Sequence, residues 1–327
     1  MAPNTESGTA TPGKGMKSTL SFATLMHAAF DDDDEAHAES HPGLSKKSVE
    51  TVLQTVKEHF PNALNAHTLA FQLKDNLAHY GFTEHNVLLG TSFCCDDVNR
   101  DLEDELRKVF DNNHSMGGLS GFCFAGATAL GNMLHHVPDQ GHLLVVYGPH
   151  VGVDWEGHIG KVNRRGQAHP SACCASAKAA AAYARMVVVD QTRVAPVAAP
   201  DDMVDAQQEW LQRQVLRHAH RLAEARHPDV ELVHPLLDCQ HEHMDHILAT
   251  ACSQSLLRDN EHSKKLRSLV AFKLTPPKVR RNTLSTTGLH FTITRENCWK
   301  ICWPTFTIQR PIRQRGKAKH QTQAIIQ

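Results

Sequence analysis

The sequence lacks three features, each of which would indicate a particular class of protein. It contains no stretch of about twenty uninterrupted apolar residues, which argues against a membrane span. Its formal net charge is only −1 over 327 residues, so it has no broad basic surface of the kind that binds nucleic acid. Its N-terminus has no basic patch followed by an apolar segment, which argues against a secretory signal. We therefore expect a globular protein without nucleic-acid or membrane partners.

The cysteines are few, odd in number and partly clustered. There are nine in a chain too long to need a disulfide framework, and nothing indicates secretion, so we expect reduced thiols. Two adjacent pairs stand out: Cys94–Cys95 in "TSFCCDDVNR" and Cys173–Cys174 in "SACCASAKAA". A disulfide within either pair would be strained, and the CxxC spacing of redox proteins is absent. Clustered reduced thiols indicate metal binding or catalysis.

Composition divides the chain into three parts. Residues 1–44 are rich in Ser, Thr, Gly, Pro and Ala and carry the solvated acidic run "DDDDE", which predicts a disordered tail. Residues 45–275 carry the periodic apolar patterns of a folded domain. Residues 276–327 are rich in Arg, Lys, Thr and Gln around the apolar island "CWKICW". We interpret this last part as a poorly ordered C-terminal extension outside the domain, or as translated non-coding sequence.

The pattern within the domain predicts an α/β fold with a mainly parallel sheet flanked by helices. The runs "NVLLG", "HLLVVYG" and "RMVVVD" are apolar throughout and of strand length, as expected for strands covered on both faces. Helical patterns precede and separate them, in "SVETVLQTVKEHF", "AHTLAFQLKDNLAHYG", "DVNRDLEDELRKVF" and "ASAKAAAAYARM". After residue 200, "AAPDDMVDAQQEWLQRQVLRHAHRLAEA" predicts one long helix, and "HEHMDH" a polar helix face.

Soft and borderline metal ligands fall at matching places in this pattern. Cys94 and Cys95 follow the "NVLLG" strand, and His150 follows the "HLLVVYG" strand. Ligands of open α/β sheets bind beyond the carboxyl ends of strands. Cys173 and Cys174 precede the Ala-rich helix, whose N-terminus favours thiolate. Each residue alone is ordinary core packing, but together they suit zinc, which takes two thiolates and one imidazole and keeps a fourth position for water.

Several segments in order give the chain a resemblance to a known family. They are "LLGTSFCCDDVNR", "GGLSGFCFAGATALGNMLHHVPDQGHLLVVYGPHVGVD", "GKVNRRGQ" and "SACCASA". With them the chain resembles the low-CO2-inducible protein B family, an outlying group of β-type carbonic anhydrases also called θ-type. The resemblance covers residues 45–190 and, more weakly, continues to about residue 270. It implies a β-carbonic-anhydrase-like fold that holds Zn²⁺.

The resemblance also implies a ligand set. The family's zinc is held by Cys, His and Cys, and His150 of "GPHVG" matches the histidine. Cys94 matches the first cysteine because Asp96, two residues later, fits the position of the family's aspartate. Cys95 with Asp97 would fit the same pattern. For the second cysteine, Cys174 is chosen over Cys173 because it lies closer to the helix.

The aspartate of this family pairs with an arginine, and here the sequence departs from the usual pattern. The arginine normally follows two residues after the aspartate, where this chain has Val98. The nearest arginine is Arg100, which we assign to the pair with Asp96, and Arg164 and Arg165 are alternatives.

The implied activity is the reversible hydration of CO2 to bicarbonate by a zinc-bound hydroxide. Asp96 would orient the water, Arg100 would hold Asp96, and His135 and His136 are candidates for removing the proton because histidine titrates near neutral pH. The alternative is a non-catalytic relative that binds bicarbonate or a partner in a CO2-concentrating complex. The resemblance further implies a homodimer, whose interface lies near the glycine-rich segment. Members act in the cytoplasm or in plastids, and we expect the cytoplasm here because the first 45 residues are too acidic for a transit peptide.

Overall fold

The computed structural model describes residues 45–164, 166–193, 204–258, 266–273, 290–295 and 305–307. The predicted tail of residues 1–44 and most of the predicted extension of residues 276–327 lie outside these ranges. The strands are β1 (Val87–Ser92), β2 (Asn113–Ser115), β3 (Gly141–Tyr147), β4 (Lys161–Val162), β5 (Ser171–Ala172), β6 (Leu266–Lys273), β7 (His290–Arg295) and β8 (Thr305–Thr307). The helices are α1 (Lys46–His59), α2 (Ala66–Ala78), α3 (Arg100–Phe110), α4 (Gly126–Leu134), α5 (Ala175–Val188), α6 (Ala206–Leu216), α7 (Ala219–Glu224) and α8 (Pro228–Arg258).

The central sheet has the strand order β2-β1-β3-β6-β7-β8. The pairs β1–β2, β1–β3 and β3–β6 are parallel, whereas β7 and β8 extend the sheet as antiparallel strands. β4 and β5 form a separate two-stranded ribbon. The predicted α/β fold with a mainly parallel sheet flanked by helices is confirmed.

The two central strands carry apolar side chains on both faces, which is why their sequences show no alternation. In β1, Leu89 belongs to one core cluster and Leu88 to another. In β3, Leu144 and Leu143 divide in the same way, and Leu89 pairs with Leu144. Helices α2 and α3 cover the first face, and α4 with α8 covers the second. A strand buried on both faces is mostly apolar, so these runs were recognisable from the sequence although Thr91, Ser92 and His142 are buried polar residues within β1 and β3.

The helix boundaries follow local capping chemistry. The Ser45 side chain accepts a hydrogen bond from the backbone N–H of Ser48 and begins α1, and Asn65 does the same for Thr68 at the start of α2. Gly81, predicted to follow the second helix, has φ +83°, a conformation that glycine adopts without strain. The predicted helices over residues 49–60, 66–80 and 97–110 are confirmed within a few residues.

Three sequence predictions were wrong in local detail. "RMVVVD" is the end of helix α5 rather than a strand, because it continues an Ala-rich helix without a break in the chain. The long helix predicted after residue 200 is divided into α6 and α7. "HEHMDH" is not purely a polar face, because His241 and His243 contact core-side partners from α8.

Two described strands lie in the C-terminal stretch that the sequence predicts to be an extension. We placed residues 276–327 outside the domain, yet β7 and β8 lie in that stretch and both pair with the sheet. The rest of that stretch lies outside the described residues, so the division at residue 275 stays a prediction. Among the helices that are described, none combines the length and the apolar character needed to cross a membrane.

Candidate metal centre

The candidate centre lies beyond the carboxyl ends of β1 and β3, as the topology predicts. Cys94 follows β1 after one residue, and its backbone carbonyl accepts a hydrogen bond from Asn99 Nδ2 at 3.2 Å. His150 follows β3, and the adjoining loop is tied to the second cysteine pair because the N–H of Gly152 donates to the carbonyl of Cys173 at 3.0 Å. Backbone contacts therefore fix both loops around the centre.

Three side chains distant in sequence meet there. One ligand atom from each of Cys94, His150 and Cys174 lies within 4.8 Å of the others. The sulfur atoms of Cys94 and Cys174 are 3.7 Å apart. Two sulfurs bound to zinc at about 2.3 Å with tetrahedral geometry lie about 3.8 Å from each other. The spacing of the two thiols thus fits a zinc ion between them.

His150 has a ring nitrogen suited to a metal. Its Nδ1 lies 3.4 Å from the Cys173 sulfur, whereas its Nε2 is buried and has no hydrogen-bond partner within the described part of the chain. Buried polar atoms are nearly always satisfied, so a buried imidazole nitrogen without a hydrogen-bond partner in the described structure is available as a metal ligand. A partner on one ring nitrogen that orients the other toward the metal is the usual arrangement for metal-binding histidines.

The ionisation of this cluster also favours a cation. Its contact with Cys174, together with burial, raises the pKa of the Cys94 thiol. The same contact lowers the pKa of Cys174 against the effect of burial, and His150 lowers it further. Burial would lower the pKa of His150, but the sulfurs of Cys173 and Cys174 outweigh it and raise that pKa to about 10. As two thiolates, the sulfurs of Cys94 and Cys174 would repel each other at this distance, and a cation bound between them would offset that repulsion.

The walls of the centre are partly apolar. Cys94 and Cys174 belong to one buried cluster with Phe122, whose ring is fully buried. Other members come from helices α5 to α8: Ala177, Ala180, Ala184, Leu211, Val215, Ala219, Leu222, Leu232, Leu236 and Cys239. Glycine permits the close approach of the loops here, since a Cβ at Gly152 would lie 2.8 Å from the Cβ of Cys173.

Asp96 lies beside the candidate ligands and pairs with Arg164, not with Arg100. Arg164 Nη2 donates to Asp96 Oδ1 at 2.7 Å, and its Nη1 donates to Asp97. Burial would raise the pKa of Asp96, but hydrogen bonds from Arg164 and Asp97, together with the nearby His150, outweigh burial and hold this pKa below its usual range. Arg100 instead donates to Glu103, one turn along α3.

The sequence-predicted residues therefore divide into two sets. Cys94, His150 and Cys174 come together with Asp96 next to them, whereas Arg100 does not reach Asp96 because its side chain follows the axis of α3. The arginine that reaches Asp96 was one of the two alternatives, and Arg165, the other, lies outside the described residues.

The alternatives for the cysteines differ in their surroundings. Cys95 is exposed. Cys173 is fully buried and forms a second potential ligand group with Asp96 and His150.

The proton-shuttle candidates, His135 and His136, are both exposed and follow the end of α4.

Sequence reasoning missed two serines at the centre. The hydroxyls of Ser120 and Ser176 lie 3.4 and 3.2 Å from the Cys174 sulfur. Ser176 could have been noticed, since it stands two residues after Cys174. For Ser120 the only signal was its position between glycines in "GGLSG".

Comparison with known proteins agrees with this geometry. Residues 63–259 match the family described as limiting CO2-inducible proteins B/C beta carbonic anhydrases. The crystal structure of PtLCIB4, a homolog of the limiting CO2-inducible protein LCIB, is 34% identical, with a TM-score of 0.58 over 67% of this chain and 85% of that one. No protein among those with curated functions matches significantly.

Two mutants of the same homolog give similar values. A histidine-to-alanine mutant is 34% identical, with a TM-score of 0.57 over 68% of this chain and 85% of that one. A serine-to-arginine mutant is 33% identical, with a TM-score of 0.53 over 68% and 84%. With a family match over most of its described residues, the chain belongs to the limiting CO2-inducible proteins B/C beta carbonic anhydrases.

Proposed function

We propose that this protein catalyses the zinc-dependent, reversible hydration of CO2 to bicarbonate. The observation that carries the proposal is the convergence of Cys94, His150 and Cys174, with their sulfurs 3.7 Å apart and a buried imidazole nitrogen left without a partner. Membership of a family described as carbonic anhydrases supports the choice of reaction. We propose that these three residues hold Zn²⁺.

The metal and its neighbour have separate tasks in this proposal. When bound, Zn²⁺ supplies the Lewis acidity that ionises water near neutral pH. Asp96 supplies a hydrogen-bond acceptor next to the ligands, where its carboxylate can orient a water molecule. Because Arg164 keeps this carboxylate charged and fixes one of its oxygens, Asp96 cannot easily turn away or take up a proton. We assign Arg164 to the pair in place of Arg100.

The surroundings suit a small apolar substrate. CO2 has no net charge and no strong dipole, so a dry apolar wall next to the ligands favours its approach over that of water. Phe122 provides such a wall in the cluster that contains Cys94 and Cys174.

The test is stopped-flow CO2 hydration on the purified full chain, with zinc measured on the same sample. We expect about one zinc per chain and a rate well above the uncatalysed reaction. Asp96→Asn should retain zinc and lose about 10- to 100-fold in rate, the range typical of residues that support a metal site. Asp75→Asn, on the outer part of α2, is the matched control and should behave as the wild type.

The alternative function predicts a different result. A non-catalytic relative that binds bicarbonate or a partner would contain stoichiometric zinc and give no rate above background. Two reasons favour this alternative: the family includes members that lack activity, and the arginine spacing is irregular; the contact of Arg164 with Asp96 weakens the second reason. The compartment and the homodimer remain predictions from the resemblance.

A further inference from the structure

Two serine hydroxyls surround the sulfur of Cys174 from different parts of the chain. Ser120 Oγ lies 3.4 Å from this sulfur, and Ser176 Oγ lies 3.2 Å from it. The two hydroxyl oxygens are themselves 3.2 Å apart. One serine lies in the turn after β2 and the other in the first turn of α5, so the contact joins two segments 56 residues apart.

We propose that Ser120 and Ser176 are positioning residues that donate hydrogen bonds to the Cys174 thiolate and thereby tune the metal centre. The inference rests on the proposed zinc centre. A thiolate bound to a metal has no proton, so it can only accept hydrogen bonds, and both serines must then act as donors. Each hydroxyl has one proton, and a charged sulfur is a stronger acceptor than the neighbouring neutral oxygen.

The backbone of Ser120 is a second, independent observation. Its φ is 55° and its ψ 16°, the left-handed region that glycine occupies far more readily than serine. The side chain is almost completely buried, with 1% of the residue exposed. Gln240 Nε2 donates to the Ser120 carbonyl and holds the turn. A buried residue in this sparsely populated conformation, with its hydroxyl beside a candidate metal ligand, points to a role for its side chain.

The position of Cys174 leaves its sulfur available for these contacts. Cys174 is the N-cap of α5, but its side chain makes no capping hydrogen bond in the described structure. The sulfur therefore contacts the hydroxyls of the two serines and the sulfur of Cys94, and not the backbone N–H groups of the first turn.

The chemical consequence concerns the charge on the sulfur. Two thiolates donate much charge to a zinc ion, which makes it a weaker Lewis acid than a zinc ion held by neutral imidazoles. Hydrogen bonds to a ligand sulfur withdraw part of that charge and hold the ligand in place. The two serines would therefore strengthen the metal as a Lewis acid and also fix the geometry of Cys174.

Replacing zinc with cobalt tests the proposed effect of the two serines on the Cys174 sulfur without relying on activity. Co²⁺ bound by cysteine has a sulfur-to-metal charge-transfer band, whose energy reports the charge on the sulfur. The full chain is loaded with Co²⁺ as wild type, Ser120→Ala, Ser176→Ala and the double variant. We expect the band to move to longer wavelength in each single variant and further in the double variant. Zinc affinity, measured by competition with a chelator, should fall about tenfold per serine.

Three further variants distinguish the effect of losing a serine hydroxyl from the effect of a general change in structure. Ser176→Thr keeps a hydroxyl in the helix and should restore the wild-type band. Ser120→Gly removes the hydroxyl while relieving the backbone, so it should shift the band without lowering the melting temperature. Ser115→Ala, an exposed serine on β2, is the control and should change nothing.

The outcomes distinguish this inference from the proposed function. A band that stays in place in Ser120→Ala and Ser176→Ala, with cobalt bound, would overturn the tuning role even if the enzyme is active. A wild-type chain that binds neither zinc nor cobalt would overturn the proposed function and this inference with it.

Discussion

The sulfur atoms of Cys94 and Cys174 lie 3.7 Å apart, although 80 residues separate them in the chain. Cys94→Ser should therefore abolish stoichiometric zinc binding, because serine is a poor zinc ligand and only two of the proposed protein ligands remain. Metal analysis of the purified variant measures this. Cys95→Ser is the matched control, since Cys95 is adjacent but exposed, and it should keep its zinc. Zinc loss in the control alone would show that the wrong cysteine of the pair was chosen.

The arginine that supports Asp96 can be identified by a pair of variants. Arg164→Ala should reduce CO2 hydration about 10- to 100-fold with zinc retained, because Asp96 loses the partner that fixes its carboxylate. Arg100→Ala should have little effect on the rate, since Arg100 pairs with Glu103. Steady-state and stopped-flow rates on zinc-matched samples measure the difference. The reverse order of effects would return the role to Arg100.

A partly buried hydrogen bond joins the sheet to α8, the longest of the described helices. Tyr147 Oη lies 2.8 Å from His241 Nδ1, and 1% of Tyr147 is exposed. Tyr147→Phe should lower the free energy of unfolding by about 1–2 kcal/mol, because the imidazole loses a buried partner. Urea unfolding measures this. Tyr80→Phe is the control, since Tyr80 is 40% exposed and its free energy of unfolding should stay within about 0.5 kcal/mol of the wild type.

His243 should make stability depend on pH. Burial lowers its pKa in the folded protein, and the nearby His246 lowers it further against the hydrogen bond to the Cys123 carbonyl. As the pH falls, the unfolded chain therefore binds a proton at His243 before the folded protein does. The stability that comes from burying the neutral imidazole is fully present above the pKa of the unfolded state, about 6.5, and is lost as the pH falls below it. His243→Gln should flatten the dependence of the free energy of unfolding on pH over this acidic range.

The control for this pH dependence is a histidine that lies outside the core. His220→Gln, at an exposed position of α7, should leave the slope of the wild type unchanged. An unchanged slope in His243→Gln would show that the folded protein does not resist protonation of this side chain.

Truncation tests whether the C-terminal part belongs to the sheet, as the pairing of β7 and β8 indicates, or is an extension outside the domain. Ending the chain after residue 275 removes β7 and β8 and leaves β6 as an unpaired edge, which exposes strand hydrogen-bonding groups and favours aggregation. We expect lower solubility and a lower melting temperature. Ending the chain after residue 307 keeps both strands and should preserve both properties. Improved solubility of the shorter chain, with zinc retained, would instead support an extension outside the domain.

The sequence by itself determined the parts that depend on local pattern. Strands β1 and β3 were recognisable because a strand buried on both faces is mostly apolar, and the early helices because their apolar residues recur with helical spacing. The same pattern placed Cys94 and His150 at one edge of the sheet, because both follow parallel strands. "RMVVVD" was misassigned, since a short apolar run at the end of a helix has no local mark that distinguishes it from a strand.

Only the tertiary structure decided which distant side chains meet. Arg164, which follows β4, donates a hydrogen bond to Asp96 across 68 residues, and no spacing rule near Asp96 could indicate that contact. Ser120 reaches Cys174 because Gln240 and a left-handed turn hold it there. Local propensity depends on neighbours in sequence, whereas these contacts depend on how the helices and loops pack around the sheet.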